Sequence, residues 1–237
     1  MTTILIAPAK LTLGLRITGV RDDGFHLIEA EMATLNLADR LFVSPGQGLS
    51  VNGTTEGFSV DSDDNNLVNK ALALVGRQAQ IRIEKNIPAG AGLGGGSANA
   101  AAVLRWAGFT DLEAAATLGA DVAFCLRGGR AWVTGIGQEV SLLPFEPRTF
   151  TLLTPPFGCS TPAVYGRWDA MGGPRGQGDN DLEPAALTQY PELTTYRDAL
   201  EEASGLTPHL AGSGSTWFVE GAFPGENRRV VHTVAAE

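Results

Sequence analysis

The chain has 237 residues, a net charge of −9, and 43% hydrophobic against 18% charged residues. That length supplies a sizeable core as one large domain or two small ones, and the composition is neither that of a disordered chain nor that of a membrane-embedded one. The acidic balance excludes a nucleic-acid binder, which needs a basic stripe; a bound phosphate must be held by local N–H groups and one or two placed cations.

The N-terminal apolar run Ile4-Leu-Ile-Ala is too short for a secretory signal, and no stretch approaches the ~18 to 20 apolar residues of a membrane span, so a cytoplasmic protein without a membrane partner is expected. Cys125 and Cys159 lack CxxC spacing and are expected to be reduced, structural thiols. Lysine occurs only at 10, 70 and 85, which makes each one worth following.

Along residues 4 to 18, Leu11, Leu13, Leu15 and Ile17 alternate with Lys10, Thr12, Gly14 and Arg16, which predicts a strand with one buried face and Lys10 and Thr12 on the other. After the turn Arg21-Asp-Asp-Gly24, a second extended element begins at Phe25, and short strands are expected at Leu41–Val43, Leu49–Val51 and Phe58–Val60. Asn65-Asn66 caps a helix Leu67–Gly76 with Leu67, Ala71, Leu74 and Val75 on one stripe. Ala79–Lys85 alternates as a strand leading to a glycine-rich loop and a helix Ser97–Trp106. Asp111 caps a helix through Leu118, Gly119–Leu126 is a short helical segment, and Arg130–Thr134 is a strand. Pro144-Phe-Glu-Pro147 separates a first domain, 1–147, from a second, 148–237, with a strand at Phe150–Thr154, a loop at 171–181, a helix Leu193–Ala203 and a strand pair at Leu210 and Thr216–Val219.

The segment Pro88-Ala89-Gly90-Ala91-Gly92-Leu93-Gly94-Gly95-Gly96-Ser97-Ala98 has five glycines in seven positions and runs straight into a helix of small residues. Glycine lets a ligand approach the backbone and permits positive φ, and the free N–H groups of a helix start make an anion site for a di- or triphosphate. No lysine precedes Ser97, as a Walker loop requires, and no acidic residue ends a following strand, as a dinucleotide fold requires. A third kind of phosphate loop is implied.

Phosphorylating an alcohol needs a carboxylate to take the hydroxyl proton and a cation to offset charge on the transferring group. Lys10 and Asp121 have those chemistries, but 111 positions separate them. Taken alone, Lys10 reads equally as a solvated strand residue and Asp121 as a helix cap.

The segments Pro8-Ala-Lys10-Leu-Thr-Leu, Asp22-Asp-Gly-Phe-His26, Pro88–Ser97, Leu118-Gly-Ala-Asp121-Val, Asn180-Asp-Leu-Glu-Pro184 and Ala211-Gly-Ser-Gly-Ser215 together resemble the GHMP kinases, in chain order over nearly the whole sequence. The Lys10 and Asp-Gly-Phe-His segments combined with Gly-Ala-Asp-Val resemble the branch whose substrate carries a cytidyl diphosphate. The resemblance implies an α+β, two-domain fold: an N-terminal domain like the second domain of ribosomal protein S5, a C-terminal ferredoxin-like domain, and a cleft between them. It implies transfer of the ATP γ-phosphate, with Mg²⁺ on ligands left unknown, to the 2-hydroxyl of a methylerythritol joined to cytidine diphosphate, in the non-mevalonate isoprenoid route. Lys10 and Asp121 match the catalytic pair, with Asp121 as base. Phe25, His26 and Tyr165 match the residues that enclose the cytosine, two rings stacking on the base and His26 reading its edge; without the resemblance, Phe25 reads as a core aromatic and His26 as a turn residue. Asn66 matches an adenine-pocket asparagine as well as a helix cap, and Ser213 lies on a second glycine turn that closes over the phosphates. Asn180–Pro184 reads as structural.

Thr12 stands where the family carries asparagine and Phe25 where it carries tyrosine, so both positions near the substrate lose hydrogen-bonding capacity. The segment from Ser97 to Asp121 and the end after Val219 are short, leaving little room for peripheral helices; a monomer or weak homodimer is expected. A kinase for a smaller alcohol, of homoserine or mevalonate type, would not need the stacking pair, and a catalytically silent nucleotide-binding protein would not need Lys10 and Asp121.

Overall fold

The computed structural model describes residues 1–53, 65–176 and 178–236; the strand expected at Phe58–Val60 lies outside the described residues. Strand β1 (Thr3–Val20) pairs antiparallel along nearly the whole of β2 (His26–Ser44). Leu41–Val43 is therefore not a separate strand but the C-terminal end of β2. The Asp-Asp-Gly turn closes the pair, with the Gly24 N–H donating to the Arg21 carbonyl at 2.9 Å and Gly24 at φ +86°, a conformation that glycine adopts without steric cost. Strand β3 (Gly48–Asn52) runs parallel to β4 (Gln80–Glu84), and β4 pairs with residues 40–44 of β2. Between them lies α1 (Leu67–Leu74), capped by the Asn66 side chain, which accepts from Val68 N at 2.9 Å. Its buried residues are Val68, Ala71 and Leu72, so the expected stripe is corrected: Leu74 faces out.

Helix α2 (Gly95–Trp106) is buried on almost every side through Ala98 to Leu104, and its alanines let neighbouring elements approach closely. Then come α3 (Leu112–Ala116), capped by Asp111, α4 (Ala120–Arg127), β5 (Arg130–Gly135), which pairs with residues 28–33 of β2, and β6 (Glu139–Leu142). These elements make a six-stranded sheet backed by helices.

The second sheet is built from β7 (Thr149–Leu153), then α5 (Thr161–Ala170), α6 (Glu183–Gln189), α7 (Leu193–Ser204), β8 (His209–Leu210), β9 (Trp217–Glu220) and β10 (Arg228–His232), in the spatial order β10-β7-β9-β8 with every neighbouring pair antiparallel. It is a ferredoxin-like order in which no helix joins β9 to β10. Residues 221–225 instead cross β7 outside any helix or strand before a tight turn at 225–228. The buried Thr151 hydroxyl holds the crossing, donating to the Gly221 carbonyl at 2.8 Å and accepting from Phe223 N at 2.9 Å. Helices α5 and α6 and strands β6 and β10 were not anticipated; α5 buries only Val164 completely and carries little apolar periodicity.

Two hydrophobic clusters form, and β1 contributes to both. Ala7, Ala9 and Leu11 enter the first, while Leu15 and Ile17 join Val164, Leu182, Leu200 and Trp217 in the second. Between these stretches the expectation of an open polar face fails, because Lys10 is 4% exposed and Thr12 2%. Alternation identifies a face as polar but not what covers it, and here two distant glycine turns do. Among the described residues no helix is long and apolar enough to cross a membrane.

Candidate active site

A cavity of about 920 Å³ gathers every candidate residue named from the sequence except Ala98, which α2 turns into the core. Its floor is the glycine segment. Gly90, Gly92 and Gly94 have φ of +65°, +75° and +68°, and Gly94 is the N-cap of α2 with no side chain capping the first turn, so the N–H groups of that turn remain available to an anion. A Cβ on Gly94 would lie 2.7 Å from Lys10 Cγ, and one on Gly92 would overlap the Ala211 carbonyl oxygen. The loop is therefore a close junction among three segments, not a slack surface turn. Backbone bonds fasten it: Lys10 N to Leu93 O (3.0 Å), Cys159 N to Gly90 O (3.0 Å) and Thr216 N to Ala91 O (3.2 Å).

Asp121 sits in the first turn of α4 but does not cap it; the N-cap is Gly119, and no side chain closes that end. Its Oδ2 lies 3.3 Å from Lys10 Nζ, and Nζ donates to Thr12 Oγ1 at 2.9 Å. Folding thus joins the two residues across 111 positions, with Thr12 as a fixed acceptor behind the lysine. Cys125, one turn along α4 from Asp121, has its thiol pushed up to about 12 by burial, with the Asp121 charge adding to the effect. Burial and the same charge also raise the Tyr165 phenol above its ordinary value.

Sequence reasoning missed a second buried ion pair at this end. Asp39, 0% exposed, accepts from Asn86 N (2.7 Å), Ile87 N (2.9 Å), Asn99 Nδ2 (2.8 Å) and Lys85 Nζ. One carboxylate therefore ties β2, the entry to the glycine segment and α2 together. Lys85 lines the cavity, its Nζ 2.9 Å from where a Cβ on Gly95 would be. The scarcity of lysine pointed towards Lys85, whereas nothing in the local sequence marks Asp39.

At the other end, Ser213 is buried on the second glycine turn with its Oγ 2.9 Å from Thr161 Oγ1. Asn180 holds that turn through Nδ2, which donates to Leu210 O (2.9 Å) and Gly212 O (2.7 Å). The structural reading of its segment is thus accurate, although the structure it supports is the cavity wall. Phe25 is 58% exposed, which corrects its reading as a core aromatic. The ring lying on Tyr165 is His26, with centroids 4.7 Å apart; Trp168 meets His26 edge-on at 5.5 Å, and His26 Nε2 lies 2.8 Å from Asp169 Oδ1. Trp168 and Asp169 were not foreseen, since α5 itself was not.

Residues 66–129 match the model of the GHMP kinases N terminal domain. A 4-diphosphocytidyl-2-C-methyl-D-erythritol kinase of Pelotomaculum thermopropionicum is 37% identical over 254 residues, covering 92% of this chain and 88% of the relative. A crystal structure of 4-(cytidine 5'-diphospho)-2C-methyl-D-erythritol kinase superposes with a TM-score of 0.72 at 30% identity, over 98% of this chain and 99% of the other. Homoserine kinase from Cytophaga hutchinsonii shares the fold alone, at 18% identity and a TM-score of 0.57 over 98% and 95% of the two chains. With its α+β GHMP kinase fold and a relative this similar along nearly its whole length, the chain belongs to the 4-diphosphocytidyl-2-C-methyl-D-erythritol kinase family of GHMP kinases.

Proposed function

We propose that this chain transfers the γ-phosphate of ATP to the 2-hydroxyl of 4-(cytidine 5'-diphospho)-2-C-methyl-D-erythritol. The observation that carries the reading is the Lys10–Asp121 pair, 3.3 Å apart and facing a cavity whose floor is the uncapped start of α2. In the reaction the substrate oxygen forms a bond to the γ-phosphorus, the bond from that phosphorus to the β–γ bridging oxygen breaks, and ADP leaves. Asp121 accepts the hydroxyl proton. Lys10, oriented by Thr12, offsets charge on the transferring group, and the N–H groups of the α2 start hold the phosphates in line. Thr12 then orients the cation in place of the amide that the family usually carries there. Lys85 adds a second ammonium to the cradle.

Among the described residues no group of three His, Cys, Asp or Glu side chains could hold a metal on its own. Mg²⁺ keeps several waters and binds through one or two protein oxygens plus substrate phosphates; Ser97, in the first turn of α2 and lining the cavity, would be the protein ligand. Bound there, the ion would neutralise charge on the phosphates. Asn66 would meet the adenine while capping α1, Ser213 would close over the phosphates, and Phe25, His26 and Tyr165 would enclose the cytosine. We read the chain as two domains, 1–147 and 148–237, with the cavity between them; supporting this, the second sheet lies wholly within 149–232, while Leu15 and Ile17 of β1 lock the pair together.

A coupled ADP-release assay comparing the cytidyl substrate with homoserine and mevalonate tests the reading. The cytidyl substrate should be preferred, and Asp121→Asn should lower kcat by about 10²- to 10⁴-fold with ATP affinity kept. Preference for homoserine or mevalonate, or normal turnover by the Asn variant, would overturn it.

A further inference from the structure

We infer that Asp169 is a positioning residue for substrate specificity: acting through the His26 ring, it holds the Phe25–His26 turn against α5 and so sets affinity for the cytidine end of the substrate. The inference rests on the functional reading above and assigns a role to a residue outside the catalytic pair and the aromatic enclosure.

Three observations converge on it. First, α5 is thinly anchored. Val164 is its only fully buried side chain, and Gly166, Arg167 and Asp169 are exposed, so side-chain contacts along its flank determine where its cavity face stands. Second, His26 is held from two sides. Its backbone begins β2 in register with Val20, and its ring meets Tyr165, Trp168 and Asp169, all on α5. A carboxylate only accepts, so Nε2 carries the hydrogen in that contact, fixing ring orientation and tautomer together. Trp168 is itself secured, donating from Nε1 to Pro174 O at 2.9 Å. Phe25, by contrast, is tied among the described residues within its own turn, by Arg21 N to Phe25 O (2.8 Å) and Phe25 N to Asp23 Oδ1 (3.3 Å). The distance between the exposed Phe25 ring and Tyr165 is thus set by the residue next to Phe25, and that residue is clasped by Asp169.

Third, helix stability does not account for Asp169. It lies in the last turn of α5, which ends at Ala170, where the macrodipole disfavours a negative side chain. Its one ion-pair partner among the described residues is His26, and it lines the cavity. A carboxylate placed against the dipole, half exposed, and aimed at an imidazole across 143 positions of sequence fits a clasp between the two walls of the base end.

The experiment uses the full chain and reads both binding and turnover. Asp169→Ala should raise KM for the cytidyl substrate, and the calorimetric Kd for free CDP, by about three- to ten-fold, the range expected for one lost hydrogen bond, whereas Asp169→Asn, whose amide oxygen still accepts from Nε2–H, should lose less. Meanwhile kcat, KM for ATP and Kd for ADP should stay unchanged. In a His26→Ala background, Asp169→Ala should cause no further loss. Unchanged CDP affinity in Asp169→Ala, or an equal additional loss without the imidazole, would overturn the inference. Failure of the functional reading would look different: the unsubstituted chain would neither bind CDP nor turn over the cytidyl substrate.

Discussion

The two ends of the cavity are built on different principles. The phosphate end consists of backbone and buried charge: glycines at positive φ, the uncapped start of α2, and two lysines each paired with a carboxylate. Its parts touch one another directly. The base end consists of side chains on the rim of a turn and on α5, with Phe25 58% exposed and, among the described residues, the His26–Asp169 hydrogen bond joining the walls. On the function proposed above, chemistry that demands fixed geometry would sit where the fold is over-determined, and recognition of a flat base where the walls are held by fewer contacts.

The sharpest way to break this contrast is to unpair the buried charge. Asp39→Ala leaves the Lys85 ammonium and three N–H donors without their acceptor, and should destabilise the protein by about 3–5 kcal/mol, read as a large fall in Tm; a small fall would mean that the phosphate end is not held as tightly as described. Next in size, Gly92→Ala forces a Cβ into the Ala211 carbonyl from a positive φ. Displacing the second glycine turn by about an ångström should cost roughly 10²-fold in kcat/KM, measured by steady-state kinetics. Phe25→Ala should act on the opposite end, raising KM for the cytidyl substrate by about ten-fold, since stacking contributes about 0.5–1.5 kcal/mol. Tm and KM for ATP should hold, and a Tm loss comparable to that of Asp39→Ala would erase the distinction. The smallest effect concerns the thiols. Burial raises both Cys125 and Cys159 from 9.0 to about 12, so the native chain should resist thiol reagents at pH 8. Because the unfolded thiols ionise first, the stability these groups contribute is present below pH 9 and lost as the pH rises from about 9 to 12; Cys125→Ala should flatten that alkaline decline in Tm.

What could be read from the amino-acid order divides along the same line. The glycine segment declares itself, because five glycines before a helix of small residues have few other uses, and strands such as β4 declare themselves by alternation. The joining of Lys10 to Asp121 did not follow from spacing; it needed the resemblance to say which distant residues meet. Asp39 was invisible because a lone acidic residue within a strand carries no local signal, and its role exists only once Asn86, Ile87, Asn99 and Lys85 surround it. Helix α5 escaped because its apolar residues make no regular stripe: Val164 enters the second cluster while Tyr165 and Trp168 pack beside it and meet His26 of a distant strand. With it went Asp169.

The crossing from β9 to β10 has a consequence for how the chain can change in length. Glu220 is opposite Phe150 and Arg228 opposite Leu153, so the crossing spans two interstrand steps, about 10 Å, and about as much again along β7. The eight steps from Glu220 to Arg228 reach about 27 Å, against a straight-line gap of about 14 Å; Thr151 pins the start of the crossing and the turn at 225–228 takes up the excess. Excision of one residue at 224–227 should therefore be absorbed by the turn, and extra residues there have open solvent to loop into, whereas 221–223 are fixed by the Thr151 hydroxyl. This seam of the second sheet should accept a change of length at its turn and resist one at the residues that Thr151 holds.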